Sequence, residues 1–178
     1  MQLVEPSLDR LEGYAAALRQ GWSPNNVRDV SGEHLAAIAE NAPAFIHGLV
    51  TPAGTITLGD GTVVPRLPGT LRWMWDGEFC GGIGLRHQPG TEALPPHALG
   101  HIGYAVVPWK RRHGYATQAL RQVLPLARAT GLRWVDLTTD SDNAPSQRVI
   151  LANGGVLMDR VPEATGQDKL VWRIFLPA

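Results

Sequence analysis

Apolar positions in the first fifty residues recur at helical spacing. In "EPSLDRLEGYAAALRQG", Leu8, Leu11, Ala15 and Leu18 share one face, Pro6 stands where a first helical turn tolerates it, and Gly21 supplies a stop. "SGEHLAAIAENAPAF" repeats the pattern, with Ser31 as candidate N-cap and Pro43 near its end. From residue 51 the texture changes: "TPAGTITLGDGTVVPRLPG" is dense in glycine and proline and reads as a long connection. Beyond it, "TLRWMWDGEFCGGIGLRH" holds two apolar stretches around Asp76-Gly77, a dipeptide that favours the tight turn of a β-hairpin. A loop, "PGTEALPPHA" (89–98), leads to a strand that ends at Val107. Residues 114–130 then predict a helix with Ala116, Ala119, Leu120, Val123 and Ala127 on one face and Gly131 just beyond. Pro125 lies inside it and should kink it or end it early, because it removes a backbone donor. "LRWVDLTTD" (132–140) predicts a strand, "NAPSQRVILANGG" (143–155) a short helix closed by glycines, and "KLVWRIFLP" (169–177) a final strand. Hairpins in the middle and alternating helices and strands after them predict an α/β fold around a mixed sheet.

Length and composition narrow the function. A chain of 178 residues fits one domain. Sixteen basic and sixteen acidic residues cancel, which argues against a protein that coats nucleic acid or an anionic membrane, so any cationic function is local. The lone cysteine, Cys80, rules out an internal disulfide framework and fits a reducing compartment. "MQLVEPSLDR" lacks the basic and apolar segments of a secretory signal, and no apolar run approaches the roughly 20 residues that span a bilayer. The expectation is a cytoplasmic protein.

The densest positive charge lies at a strand-to-helix joint, "VVPWKRRHGYATQAL" (107–121). The first N–H groups of a helix have no partner within it, and the helix dipole adds partial positive charge there. Gly114 lets an oxyanion approach the backbone, and Lys110, Arg111 and Arg112 surround it with mobile charge, so the stretch reads as a pyrophosphate cradle. Gly114 is followed by Tyr115-Ala116 rather than Lys-Ser/Thr, which excludes the nucleotide-hydrolysing P-loop. The glycine spacing of a dinucleotide-binding turn is also absent.

Arg111-Arg112-His113-Gly114-Tyr115-Ala116 resembles the Gln/Arg-x-x-Gly-x-Gly/Ala loop of the GNAT superfamily of N-acetyltransferases. The strand and Val107-Pro108 before it match the family's context. About thirty residues on, "DLTTDSDNAPSQRVILANGGV" resembles its strand, Asn-x-x-Ser helix start and closing Asn-Gly-Gly. The resemblance covers about residues 70–160, with a coenzyme-binding core over about 99–155. It implies a twisted mixed sheet in which the strand at 99–107 splays from that at 133–139. Acetyl-CoA is then the acyl donor: its pantetheine pairs with backbone groups of Val106 and Val107, and its pyrophosphate lies on residues 111–116, with Thr117 in the same turn. An amine of a small molecule or a protein attacks the thioester directly. A homodimer is a further implication, since dimers are frequent in the family, although no interface is legible here.

The family's tyrosine acid would fall at Ile150, and the sequence departs from it there. Ser146 is the substitute donor to the thiolate, with Asn143 holding pantetheine or a water; both also read simply as helix-start residues. His101 stands where related strands carry an acid and is the candidate base, or else a hydrogen-bonded histidine at a strand start. His87 and Glu78 are weaker candidates, and Cys80 lacks the partners of a nucleophile. Trp73 and Trp75 share a strand face and line either an acceptor pocket or the core. The six histidines show no ligand spacing, so no metal is expected. The run 110–112 has no aromatic platform for nucleic acid. Loss of the tyrosine leaves a second class open, a domain that binds acyl-CoA without turnover.

Overall fold

The computed structural model describes residues 1–26, 28–58, 61–162 and 166–177. Its strands are β1 (Gln2–Val4), β2 (Thr55–Thr57), β3 (Val63–Pro65), β4 (Gly69–Trp75), β5 (Phe79–Arg86), β6 (Ile102–Val106), β7 (Trp134–Asp140), β8 (Val156–Val161) and β9 (Lys169–Phe175). The helices are α1 (Leu11–Arg19), α2 (Ser31–Val50), α3 (Tyr115–Ala129) and α4 (Ala144–Leu151). One sheet has the order β1-β4-β5-β6 and another β7-β9-β8, each antiparallel between the neighbours paired, and β2 and β3 form a separate hairpin.

Sheet alternation divides the apolar residues between two cores. Met74, Cys80, Ile83, Leu85 and Ile102 of the first sheet face Leu120 and Val123 of α3, and Val135, Leu137, Trp172 and Ile174 of the second sheet join the same core. The opposite face of the first sheet carries Trp73 and Phe79 under Leu11, Tyr14 and Leu18 of α1. Trp73 is fully buried and stacks on Tyr14 with ring centroids 5.1 Å apart, so it is a core residue. Trp75 is half-buried, with the Arg10 guanidinium 5.7 Å from its ring centroid.

Several local expectations need correction. Leu8 belongs to a separate 3-10 turn and is exposed, so the apolar face of the first helix starts at Leu11. Ser31 is the first residue of α2 rather than its cap; the Asp29 carboxylate accepts its N–H at 2.8 Å. Pro43 does not end α2. The chain breaks helical geometry at Asn41 (φ −157°, ψ 88°), whose Oδ1 accepts the Ala44 N–H at 3.0 Å and restarts the helix. Pro125 does not end α3 early, because it is exposed while Val123 and Ala127 beside it are buried and hold the turn in place. The connection at 51–69 contains the β2–β3 hairpin, and β1 and β8 were not predicted from the pattern.

Candidate active site

Among the described residues, a backbone hydrogen bond joins the two sheets at His101 and Asp136. The His101 N–H donates to the Asp136 carbonyl at 2.7 Å, and a Cβ on Gly100 would lie 2.8 Å from that same oxygen. Only glycine lets the backbones approach this closely, and Gly100 also has φ +154°. Beyond this contact the described residues of β6 and β7 form no ladder, and a gap opens between them towards Val106 on one side and Asp140 on the other.

Backbone direction along β6 determines which groups face that gap. Val107 donates its N–H to the Cys80 carbonyl at 3.0 Å, which makes Val106 and its partner Gly81 a non-hydrogen-bonded pair. The amides of Tyr104 and Val106 therefore point away from β5 and into the gap. The Val107 carbonyl accepts the Lys110 N–H at 3.0 Å, so both backbone groups of Val107 are engaged, and the open edge is Tyr104 and Val106 rather than Val106 and Val107. Side chains occupy the carbonyls of this edge: Asn26 Nδ2 donates to Tyr104 at 3.4 Å and Arg111 Nε to Val106 at 3.3 Å.

The loop after β6 runs from Val107 to Gly114 and leads into α3. Arg112 (φ 66°) and Gly114 (φ 74°) are both left-handed, and Gly114 caps α3 without a side-chain bond. Alternating left-handed residues turn successive N–H groups into one concavity, which leads into the free amides of Tyr115, Ala116 and Thr117. His113 Nδ1 donates to the Arg111 carbonyl at 2.8 Å and fixes the bend. A left-handed arginine is strained, and such strain concentrates at binding sites. The Thr117 carbonyl accepts from Asn153 Nδ2 at 3.3 Å, tying the first turn of α3 to the turn after α4.

Lys110 is not mobile. Its ammonium lies 3.1 Å from an Asp76 oxygen and 3.0 Å from Glu78, and the Tyr115 hydroxyl donates to Asp76 at 2.6 Å. The β4–β5 turn thus grips the loop from both ends, and the Tyr115 and Lys110 bonds hold the Asp76 carboxyl well below the usual carboxylate range. Glu78 belongs to this tie and is remote from the gap's narrow end. Burial and the neighbouring Asp76 push the Cys80 thiol up to about 12, so it is protonated and inert as a nucleophile at neutral pH.

His101 is buried at the narrow end of the gap. Its Nδ1 accepts the Asp136 N–H at 2.9 Å, so the neutral ring carries its proton on Nε2. Burial pushes its pKa down, and protonation of Nδ1 would break the Asp136 bond. The ring therefore offers a donor where a base would need a lone pair. Asn143 caps α4, accepting the Ser146 N–H at 3.2 Å, and Tyr104 spans the gap to donate its hydroxyl to the Ser146 carbonyl at 3.4 Å. Ile150 is buried in the core beneath Gly155, far from any proton-transfer role. His87 lies at the far end of the β4–β5 pair, where its N–H donates to the Pro68 carbonyl. The roles of Tyr104, Asn26 and Asp136, and the tie of the turn residue Asp76 to Lys110 and Tyr115, come from partners distant along the chain, which no local motif signals. Among the described residues no helix is long and apolar enough to cross a membrane, and no three histidine, cysteine or carboxylate side chains cluster as metal ligands.

Residues 51–154 match the family model described as "Acetyltransferase (GNAT) family". No curated protein sequence is significantly similar to the chain. Among solved structures, the microcin C7 self-immunity acetyltransferase MccE, in complex with acetyl-CoA and AMP, superposes with a TM-score of 0.61 at 13% identity, covering 97% of this chain and 91% of its own. A Salmonella typhimurium acetyl transferase described as modifying the N-terminal serine of ribosomal protein L7/L12 gives 0.62 at 14% identity, over 98% and 94%. YncA, a putative acetyltransferase from the same organism with its cofactor acetyl-CoA, gives 0.57 at 15%, over 99% and 92%. At these identities the likeness is one of fold.

Proposed function

Because the chain belongs to the GNAT acetyltransferase family, we propose that it transfers the acetyl group of acetyl-CoA to a primary amine by direct attack. This reading is supported by the unpaired facing edges of β6 and β7 and by the two left-handed residues of the loop that follows β6. The open edge at Tyr104 and Val106 pairs with the amides of pantetheine once Asn26 and Arg111 release its carbonyls. The diphosphate lies on the amides of Arg112 to Thr117, with the freed Arg111 and Arg112 as counter-charges.

The attacking nitrogen forms its bond to the thioester carbon, the carbon–sulfur bond breaks, and the nitrogen's proton passes to water. His101 acts in this scheme as a neutral donor and not as the base. Ser146, in the first turn of α4 and positioned by Asn143, donates a hydrogen bond to the leaving thiolate, which takes up the proton that the amine gave to water. The acceptor is a small molecule or a protein amine.

Thiol release from acetyl-CoA with a panel of primary amines tests the proposal. Turnover with at least one amine is expected, together with stabilisation by CoA alone in thermal unfolding. A second reading, a domain that binds acyl-CoA without turnover, draws on the buried Ile150 and the fixed His101 tautomer. Stabilisation by CoA with no thiol release across the panel would favour it.

A further inference from the structure

The face of β4 and β5 turned towards α2 holds a pocket of about 320 Å³, at the small end of the range for small-molecule sites. Trp73 packs under α1 on this face, so strand alternation places Gly69 and Leu71 on it, together with their β5 partners Arg86 and Gly84. Leu49 and Pro52 from the end of α2 and Ile56 from β2 wall it with apolar surface. Glycine keeps the floor open, because a Cβ on Gly84 would meet nothing nearer than Leu71 Cδ1 at 3.9 Å. In the order β1-β4-β5-β6, β6 stands between this floor and the gap beside β7, so the pocket lies apart from the coenzyme site.

Its charged lining is of one sign. Arg66, Arg86 and His97 reach it, and no carboxylate does. Arg86 is held by its Nε, which donates to the Gly100 carbonyl at 2.7 Å, and its two terminal nitrogens have no partner among the described residues. Arg66 and His97 likewise have no side-chain hydrogen bond or ion pair among the described residues. Elsewhere the chain matches its guanidinium groups: Arg28 faces Glu33, Arg133 faces Glu92, and Arg173 faces Asp136. Two unmatched cations against an apolar wall make a positive potential that favours an anion. Both arginines are exposed, so a ligand reaches them without any movement of the chain.

We propose that this pocket binds a small organic carboxylate, with its apolar body against Leu49, Ile56 and Leu71 and its anionic head on the guanidinium groups of Arg86 and Arg66. A guanidinium fork matches a carboxylate through two parallel N–H···O bonds, and Arg86, already fixed through Nε, loses little freedom in making them. A cationic head would be repelled, and a neutral one would leave both arginines without a counter-charge. The volume equals the liquid share of about ten water molecules, which suits a body of about six carbons. The inference concerns binding alone and does not rest on acetyl transfer.

Proton–nitrogen NMR of the full chain, with and without saturating CoA, reads the pocket through the amides of Gly84, His97 and Ala98. Hexanoate should shift them saturably in both conditions. Acetate, which keeps the head without the body, and hexan-1-ol, which keeps the body without the charge, should each bind at least about tenfold more weakly, and hexylamine should leave the signals in place. Arg66→Met removes a cation that has no partner to lose among the described residues. Gly84→Val fills the floor at a backbone position that is not left-handed. Each should weaken hexanoate about tenfold and leave CoA affinity unchanged. Arg86→Met should weaken it too, but it also frees the Gly100 carbonyl, so the other two variants decide the matter. Hexanol binding as tightly as hexanoate, hexanoate displaced by CoA, or hexanoate affinity untouched by Arg66→Met and Gly84→Val would overturn the proposal. Titration without CoA reads this pocket alone, so its failure is distinct from failure of the acetyltransferase reading.

Discussion

Asp76→Asn tests whether the β4–β5 turn holds the coenzyme loop in shape. The carboxylate accepts two bonds from Lys110, at 3.1 and 3.2 Å, and one from Tyr115 at 2.6 Å, and its side chain is 17% exposed. A hydrogen bond to a charged group contributes about 1.5–3 kcal/mol. The amide keeps one acceptor oxygen for Tyr115, and Lys110 keeps Glu78 at 3.0 Å, so the net loss is about 1–2 kcal/mol. For a chain of this length that lowers Tm by about 2–8 °C. The loop would then have to order when CoA binds, and its Kd should rise by up to about tenfold, or about 1.4 kcal/mol. Thermal unfolding and titration calorimetry read the two effects. The pH dependence gives a third: the folded pKa of Asp76 is depressed, so its stabilisation is full above the unfolded value near 4 and is lost only as pH falls below the carboxylate range. The variant should lack that acid-side loss. Unchanged Tm and unchanged CoA affinity would refute the idea that this tie shapes the cradle.

Other outcomes follow from the same geometry. Gly114→Asp should abolish CoA binding in calorimetry. Gly114→Ala, whose Cβ would meet nothing nearer than Gln118 Nε2 at 3.8 Å, should weaken it through backbone strain alone, on the order of 1 kcal/mol. Gly155→Ala would place a Cβ 2.2 Å from Ile150 Cγ2 and should cost about 1–3 kcal/mol in denaturant unfolding. Cys80 should resist alkylation in the folded chain at neutral pH, and Cys80→Ala should retain CoA binding. Burial depresses the pKa of both His34 and His101, so stability from keeping them neutral is full above their ordinary value of about 6.5 and falls as pH drops below it. His101→Gln should flatten that part of the stability profile.

Local chemistry made much of this legible. Asp76-Gly77 fixed a hairpin, Gly114 marked the loop-to-helix joint, and Asn143 announced the start of α4, because each is a short-range conformational demand. What escaped depended on partners far along the chain. Lys110 reads as a free cation until Asp76, 34 residues away, takes it, and His101 reads as a base until the Asp136 amide, 35 residues away, occupies its lone pair. β1 is three residues long and exists by pairing with Trp73–Trp75. β8, "VLMDRV", is exposed throughout, so it shows no alternation that a pattern could detect.

The central claim is that the gap between β6 and β7 is the acyl-donor site, and a crystal structure with bound CoA measures it most directly. The account predicts pantetheine amides paired with Tyr104 and Val106 and a diphosphate resting on the amides of residues 112–117. Coenzyme bound elsewhere, with Arg111 still on the Val106 carbonyl, would contradict it.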